Sequence, residues 1–165
     1  MTAPTTIVPL AVPLTLDDPD AAGFLAYGEL GHRVCDEMVG LPDLAPTAAQ
    51  MLPAGHDTTD TLHTGFLARR GDRIVGAVTV DYAQEAGARA AELDLLVPEE
   101  HWNEGVEEAL LDRAEDEVRA RGRDILQIWS LHRPIEADRM LVPKTGWGRV
   151  PTIALTDLLE ARGYR

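Results

Sequence analysis

Residues 91–131 constrain the fold of this chain more tightly than any other stretch. A-E-L-D-L-L-V alternates like a strand, the next segment turns with Gly105 as its only glycine, an amphipathic run follows, and D-I-L-Q-I-W-S-L is apolar enough for a second strand. Strand, helix and strand in one sheet make a crossover, and such crossovers are almost always right-handed because twisted strands and right-handed helices pack back only that way. At the turn, unpaired backbone N–H groups gather at the positive end of the helix dipole. That is where a unit of this kind would hold a phosphate-bearing ligand.

The helix is expected over residues 103–121. Val106, Leu110, Ala114 and Val118 make an apolar stripe, Glu104, Glu107 and Glu108 complement the dipole on a solvated first turn, Arg119 and Arg121 follow at the end, and Gly122 is a natural stop. Upstream, Asp18 and Pro19 signal another helix start, Tyr27, Leu30, Val34 and Met38 recur at helical spacing, and Gly40 ends the run. A hairpin rich in Ile and Val follows over residues 66–82, with its turn at Arg70, Gly71 and Asp72, and a second turn over 85–88 leads into the strand of the central unit.

Residues 1–17, with three prolines, read as an extended lead-in with a first strand near 6–10. Residues 41–64 read as a long loop with a short helix near 47–52. Residues 134–151 are irregular, and a last helix over 152–162 is stopped by Gly163. The order of elements is that of an α/β fold, a mixed and mostly antiparallel sheet flanked by helices, and 165 residues suit a single domain.

With 15 basic and 28 acidic residues the net charge is −13, which opposes binding to nucleic acid or anionic lipid and suits a cationic partner such as a small-molecule amine. No apolar run approaches the roughly 20 residues that span a bilayer. The first residues lack the basic start and apolar core of a secretory signal, and Cys35 is the only cysteine, so a soluble, cytoplasmic protein is expected. Cys35 lies beside the first helix's stripe, as a small buried thiol would. The five histidines include no pair at helical metal-site spacing, so no metal is expected. Ser130 with His132 has no evident third partner for a hydrolase triad. Trp147, in K-T-G-W-G-R, suits either an acceptor pocket or a loop anchor.

The run L-L-V-P-E-E-H-W-N-E-G-V-E-E-A-L-L and the terminal L-L-E-A-R-G-Y-R resemble the GNAT superfamily of acetyl-CoA-dependent N-acetyltransferases. The likeness extends from Ala21 onward and is closest to the N-terminal unit of two-domain actinobacterial members; Leu126-Gln127 and His132-Arg133-Pro134 share that character. It implies a GNAT-like fold that transfers an acetyl group from acetyl-CoA to a primary amine. The superfamily's last two strands would follow Gly163, where only Tyr164 and Arg165 remain, so the resemblance implies a unit with its last strands missing.

By the same resemblance the backbone of Leu95, Leu96 and Val97 pairs with the pantetheine arm, and the amides of Asn103, Glu104, Gly105, Val106 and Glu107 face the diphosphate. The superfamily's signature is Arg or Gln, two residues, Gly, one residue, then Gly or Ala. Here it becomes Trp102, Asn103, Glu104, Gly105, Val106, Glu107, and of the three defining positions only Gly105 is kept. A Glu107 carboxylate about 5 Å from a phosphate would repel it by on the order of 3 kcal/mol, roughly a hundredfold in affinity. The resemblance also assigns the base to a carboxylate on the strand before the signature; Glu92 and Asp94 share a face there. Leu159 stands where the superfamily often has its tyrosine acid, and Tyr164 is offset into the core. The competing expectation is a non-catalytic, degenerate GNAT-like domain that docks a second such domain or another subunit through the sheet edge left open after Leu131.

Overall fold

A computed structural model describes residues 4–133, 135 and 138–165, so Pro134 of the His132-Arg133-Pro134 run lies outside the described residues. The chain divides into two compact units, Met1–Leu131 and His132–Arg165.

The first unit is built on a five-stranded sheet in the order β1-β2-β3-β4-β5. β1 (Thr5–Pro9), β2 (Thr61–Arg70), β3 (Arg73–Ala83) and β4 (Ala90–Leu96) pair antiparallel in sequence order, and β5 (Ile125–Ile128) pairs parallel to β4. Gly71 forms the hairpin turn with a φ of 61°, where a side chain would be strained. The crossover from β4 to β5 carries α3 (Val106–Ala120), the expected strand, helix and strand.

Two helices pack the sheet from opposite faces, and alternation along β3 assigns the residues. Val78 and Val80 face α3, whose Val106, Leu110 and Ala114 are fully buried. Gly76 shares that face because a Cβ there would lie 2.9 Å from both Leu110 Cδ1 and Val106 Cγ1. On the other face α1 (Ala22–Val39) places Leu30 and Val34 against Leu67 and Ala77, with Tyr27 and Met38 partly buried against the same cluster. The expected stripe of α1 is therefore its core-facing side. Gly40, with a φ of 73°, ends it and donates its N–H to the Asp36 carbonyl. Asp18 caps differently from expectation: a 3-10 turn at Pro19–Ala21 precedes α1, and the Asp18 carboxylate accepts from the Thr15 N–H instead.

Residues 41–64 are more ordered than their composition indicates. They hold a 3-10 turn at Pro42–Leu44, then α2 (Ala48–His56), then the start of β2. Thr47 and Gln50 form a reciprocal capping box, which satisfies two of the helix's free donors and offsets Pro53 inside it. The segment after β1 lies along this region: Leu10 donates its N–H to the Gly65 carbonyl, and His56 Nε2 lies 2.8 Å from the Pro13 carbonyl.

The second unit pairs β6 (Met140–Leu141) with β7 (Val150–Pro151) in an antiparallel ribbon and ends in α4 (Ala154–Ala161), with Gly163 at a φ of 85°. No strand follows α4 among the described residues. Trp147 is 85% exposed, too open to anchor its loop, and Tyr164 is only half-buried.

Candidate functional site

The strands of the crossover part company part-way along β4. Its parallel pairing with β5 runs from Ala90 opposite Ile125 to Leu93 opposite Ile128, whereas its pairing with β3 continues to Leu96 opposite Ala77. Asp94, Leu95 and Leu96 thus have a strand on one side only, and their outer backbone groups are free to pair with something else. Sequence periodicity foresaw both strands but not where they separate.

Glu92 and Asp94 project from the face opposite Leu93 and Leu95, which are buried. Strand register sets Asp94 beside Thr79, and two pairs further along, on the same face, sets Glu92 between Asp81 and Gln127. Asp81 in turn stands opposite His63, whose Nδ1 is 2.8 Å from an Asp81 carboxylate oxygen. Tyr27 reaches the same group from α1, interacting with Thr79 and feeling the charge of Asp94. The surface of Asp94 is open to water, yet crowding by protein and then the neighbouring Asp81 charge push its carboxyl up to about 6. Burial, then Asp94, push the Tyr27 hydroxyl up to about 12, so it stays protonated. A cleft of about 210 Å³ opens alongside, with Leu10, Val12, Phe24, Met51 and Tyr27 as walls and Asp81 as an acidic lining group. An ammonium group would be favoured beside these carboxylates, and a carboxyl near 6 is ionised at neutral pH and able to accept a proton.

The turn before α3 is bound tightly to its surroundings. Glu99 donates its N–H to Glu37 of α1, Arg33 pairs with Glu100, and Arg70 at the end of β2 pairs with Glu104, whose carboxyl is lowered by Arg70 first and His101 next. Asn103, with a φ of 62°, and Gly105, with a φ of 79°, both take left-handed conformations, so α3 starts at Val106, later than the expected Asn103. Trp102 donates its indole N–H to the Val97 carbonyl at 2.8 Å. Glu107 is not on a solvated first turn: it is 5% exposed, and its Oε1 accepts the Asn103 N–H at 2.7 Å. Its Oε2 is buried without a hydrogen-bond partner.

The family profile matching this chain is that of the acetyltransferase (GNAT) family, over residues 35–134. The chain belongs to that family. No curated protein matches its sequence. Among solved structures, a tandem GNAT protein from the clavulanic acid biosynthesis pathway superposes with a TM-score of 0.68 at 21% identity, over 97% of this chain and 43% of its own. The GNAT unit thus spans less than half of that protein. A PaiA N-acetyltransferase from Thermoplasma acidophilum, in complex with coenzyme A, gives 0.58 at 13% identity over 77% of this chain and 79% of its own. An aminoglycoside acetyltransferase from an uncultured soil metagenomic sample, in complex with sisomicin, gives 0.53 at 15% identity over 76% and 77%. These likenesses show the fold.

Within this GNAT unit, strand register brings Glu92 and Asp94 together with Asp81, Thr79 and His63, and Leu95 and Leu96 lie on the parted edge of β4. Val97 and Trp102 meet each other, as do Asn103 and Glu107. Sequence reasoning missed Tyr27, His63, Asp81 and Arg70. The alternation of β3, which puts Thr79 and Asp81 opposite Val78 and Val80, was the legible signal for one of them. Among the described residues no cluster of three or more His, Cys, Asp or Glu is arranged to hold a metal ion, and no helix is long and apolar enough to cross a membrane.

Proposed function

We propose that this GNAT unit serves the transfer of an acetyl group from acetyl-CoA to a primary amine, with Asp94 as the base. The observation that carries the reading is the position of Asp94, at the first residue of β4 beyond its pairing with β5 and opposite Thr79 of β3, where crowding by protein and then the Asp81 charge raise its carboxyl to about 6. Glu92, the other candidate, still abuts β5 through Gln127, so Asp94 is the better placed of the two. In the reaction the ammonium loses a proton to Asp94, the amine nitrogen bonds to the thioester carbonyl carbon, and the C–S bond breaks. The nitrogen, which still carries two protons once it has bonded to the carbonyl carbon, gives one up, and through solvent a proton reaches the departing thiolate. The bound sisomicin of the metagenomic aminoglycoside acetyltransferase agrees with an amine acceptor.

A second reading has its own support: a non-catalytic unit docked to a second GNAT-like domain. Trp102 and Glu107 already bond to Val97 and Asn103, groups that the family resemblance turns toward the coenzyme. β5, the edge strand, is four residues long and is continued by exposed Trp129 and Leu131. The tandem relative, of which the chain spans 43%, has room for such a partner. Titration calorimetry with acetyl-CoA, followed by an assay of free thiol release with a panel of primary amines, separates the two. Binding with amine-dependent thiol release supports transfer; no heat and no thermal shift at millimolar acetyl-CoA leaves the docking role.

A further inference from the structure

We infer that the chain's own Glu107 carboxylate occupies the anion position at the N-terminus of α3, so that an external phosphate or diphosphate group enters only by displacing it. The inference deepens the acetyl-transfer reading, and rests on that reading only in taking coenzyme A as the natural visitor. α3 is 15 residues long, so its first turn carries a developed positive end, and Glu107 is its second residue. The side chain does not extend into water as a second-position glutamate ordinarily does. It is 5% exposed and folds back so that Oε1 accepts the Asn103 N–H at 2.7 Å.

Oε2 is the independent observation. It is buried, and no hydrogen-bond donor meets it. A buried carboxylate oxygen without a donor is costly, and a carboxylate is tolerated there because free N–H groups and the helix dipole favour negative charge. The turn thus keeps the electrostatics of an anion cradle while the chain supplies the anion. Neighbouring charges reinforce the arrangement. Arg70 reaches the turn but is engaged by the Glu104 carboxylate and by the Glu104 carbonyl at 3.3 Å, and His101 Nδ1 is also 3.3 Å from Glu104. Trp102, where the family has Arg or Gln, bonds to Val97 and adds no positive charge.

The test uses the full chain and its Glu107→Ala, Glu107→Gln and Glu108→Ala variants, titrated calorimetrically with coenzyme A and, separately, with inorganic pyrophosphate. Glu107→Ala empties the position. Glu107→Gln keeps an acceptor for the Asn103 N–H and so guards against a variant that fails to fold. Glu108→Ala removes the same charge from an exposed neighbour. Both Glu107 variants are expected to bind both ligands tighter than the wild type by about tenfold or more, and Glu108→Ala by no more than about twofold. Equal affinities in wild type and Glu107 variants, an equal gain in Glu108→Ala, or no binding by any of the four proteins would each overturn the inference. Amine acetylation by a wild type whose coenzyme affinity ignores Glu107 would refute it and leave the transfer reading standing. A gain in affinity without turnover would do the reverse.

Discussion

Asp94 shows how one carboxyl acquires a distinct titration from its neighbours. Crowding by protein and then the Asp81 charge hold its proton to about pH 6, so between the ordinary carboxylate range and 6 the folded protein keeps a proton that the unfolded chain has released. Unfolding in that window releases a proton, and stability from this group falls as pH rises through it. Thermal melts between pH 4 and 7 are expected to show this decline in the wild type and a flatter profile in Asp94→Asn; parallel profiles would contradict it. As a base the group works only when ionised, so amine acetylation is expected to rise through a limb near pH 6. Asp94→Asn is expected to lower kcat by about 10²-fold or more. An unchanged kcat in steady-state assays would move the role elsewhere.

At the scale of elements, α3 and β3 approach each other closely at Gly76. A methyl group there would meet Leu110 and Val106 at 2.9 Å and the Leu96 carbonyl oxygen at 3.3 Å. Gly76→Ala is therefore expected to cost about 1–3 kcal/mol through overpacking, read as a lower urea midpoint; an unchanged midpoint would show that α3 can slide away from the sheet. The same packing holds the N-terminus of α3 beside the parted edge of β4. Periodicity identified both elements, since the stripe Val106, Leu110, Ala114, Val118 depends only on neighbours one turn apart. It misplaced the helix start because Asn103 and Gly105 take left-handed conformations that hydrophobic spacing does not record. It also ended the short helix expected near 47–52 too early: α2 starts where expected, secured by the Thr47–Gln50 box, and runs on through Pro53 to His56.

For the whole molecule, the five-stranded sheet and helices α1, α2 and α3 fall within Met1–Leu131, whereas His132–Arg165 holds a two-stranded ribbon and α4. A fragment of residues 1–131 is expected to unfold in one cooperative transition by circular dichroism; a broad, sloping melt would show that the sheet depends on residues beyond Leu131. The sequence by itself determined the order of elements through Leu131, the apolar faces and the family, because each is written in local spacing and in one contiguous motif; the β6–β7 ribbon, in a stretch that reads as irregular, was not legible. The site was decided by tertiary structure. Tyr27, His63, Thr79, Asp81 and Asp94 lie on four different elements, and only antiparallel register and the seating of α1 set them on one face. The glutamate at 107 was visible as a charge beside the phosphate turn, but its inward fold onto Asn103 accompanies a backbone bend at 103 and 105 in a loop bonded to α1 and β2, contacts distant in sequence that local spacing does not record.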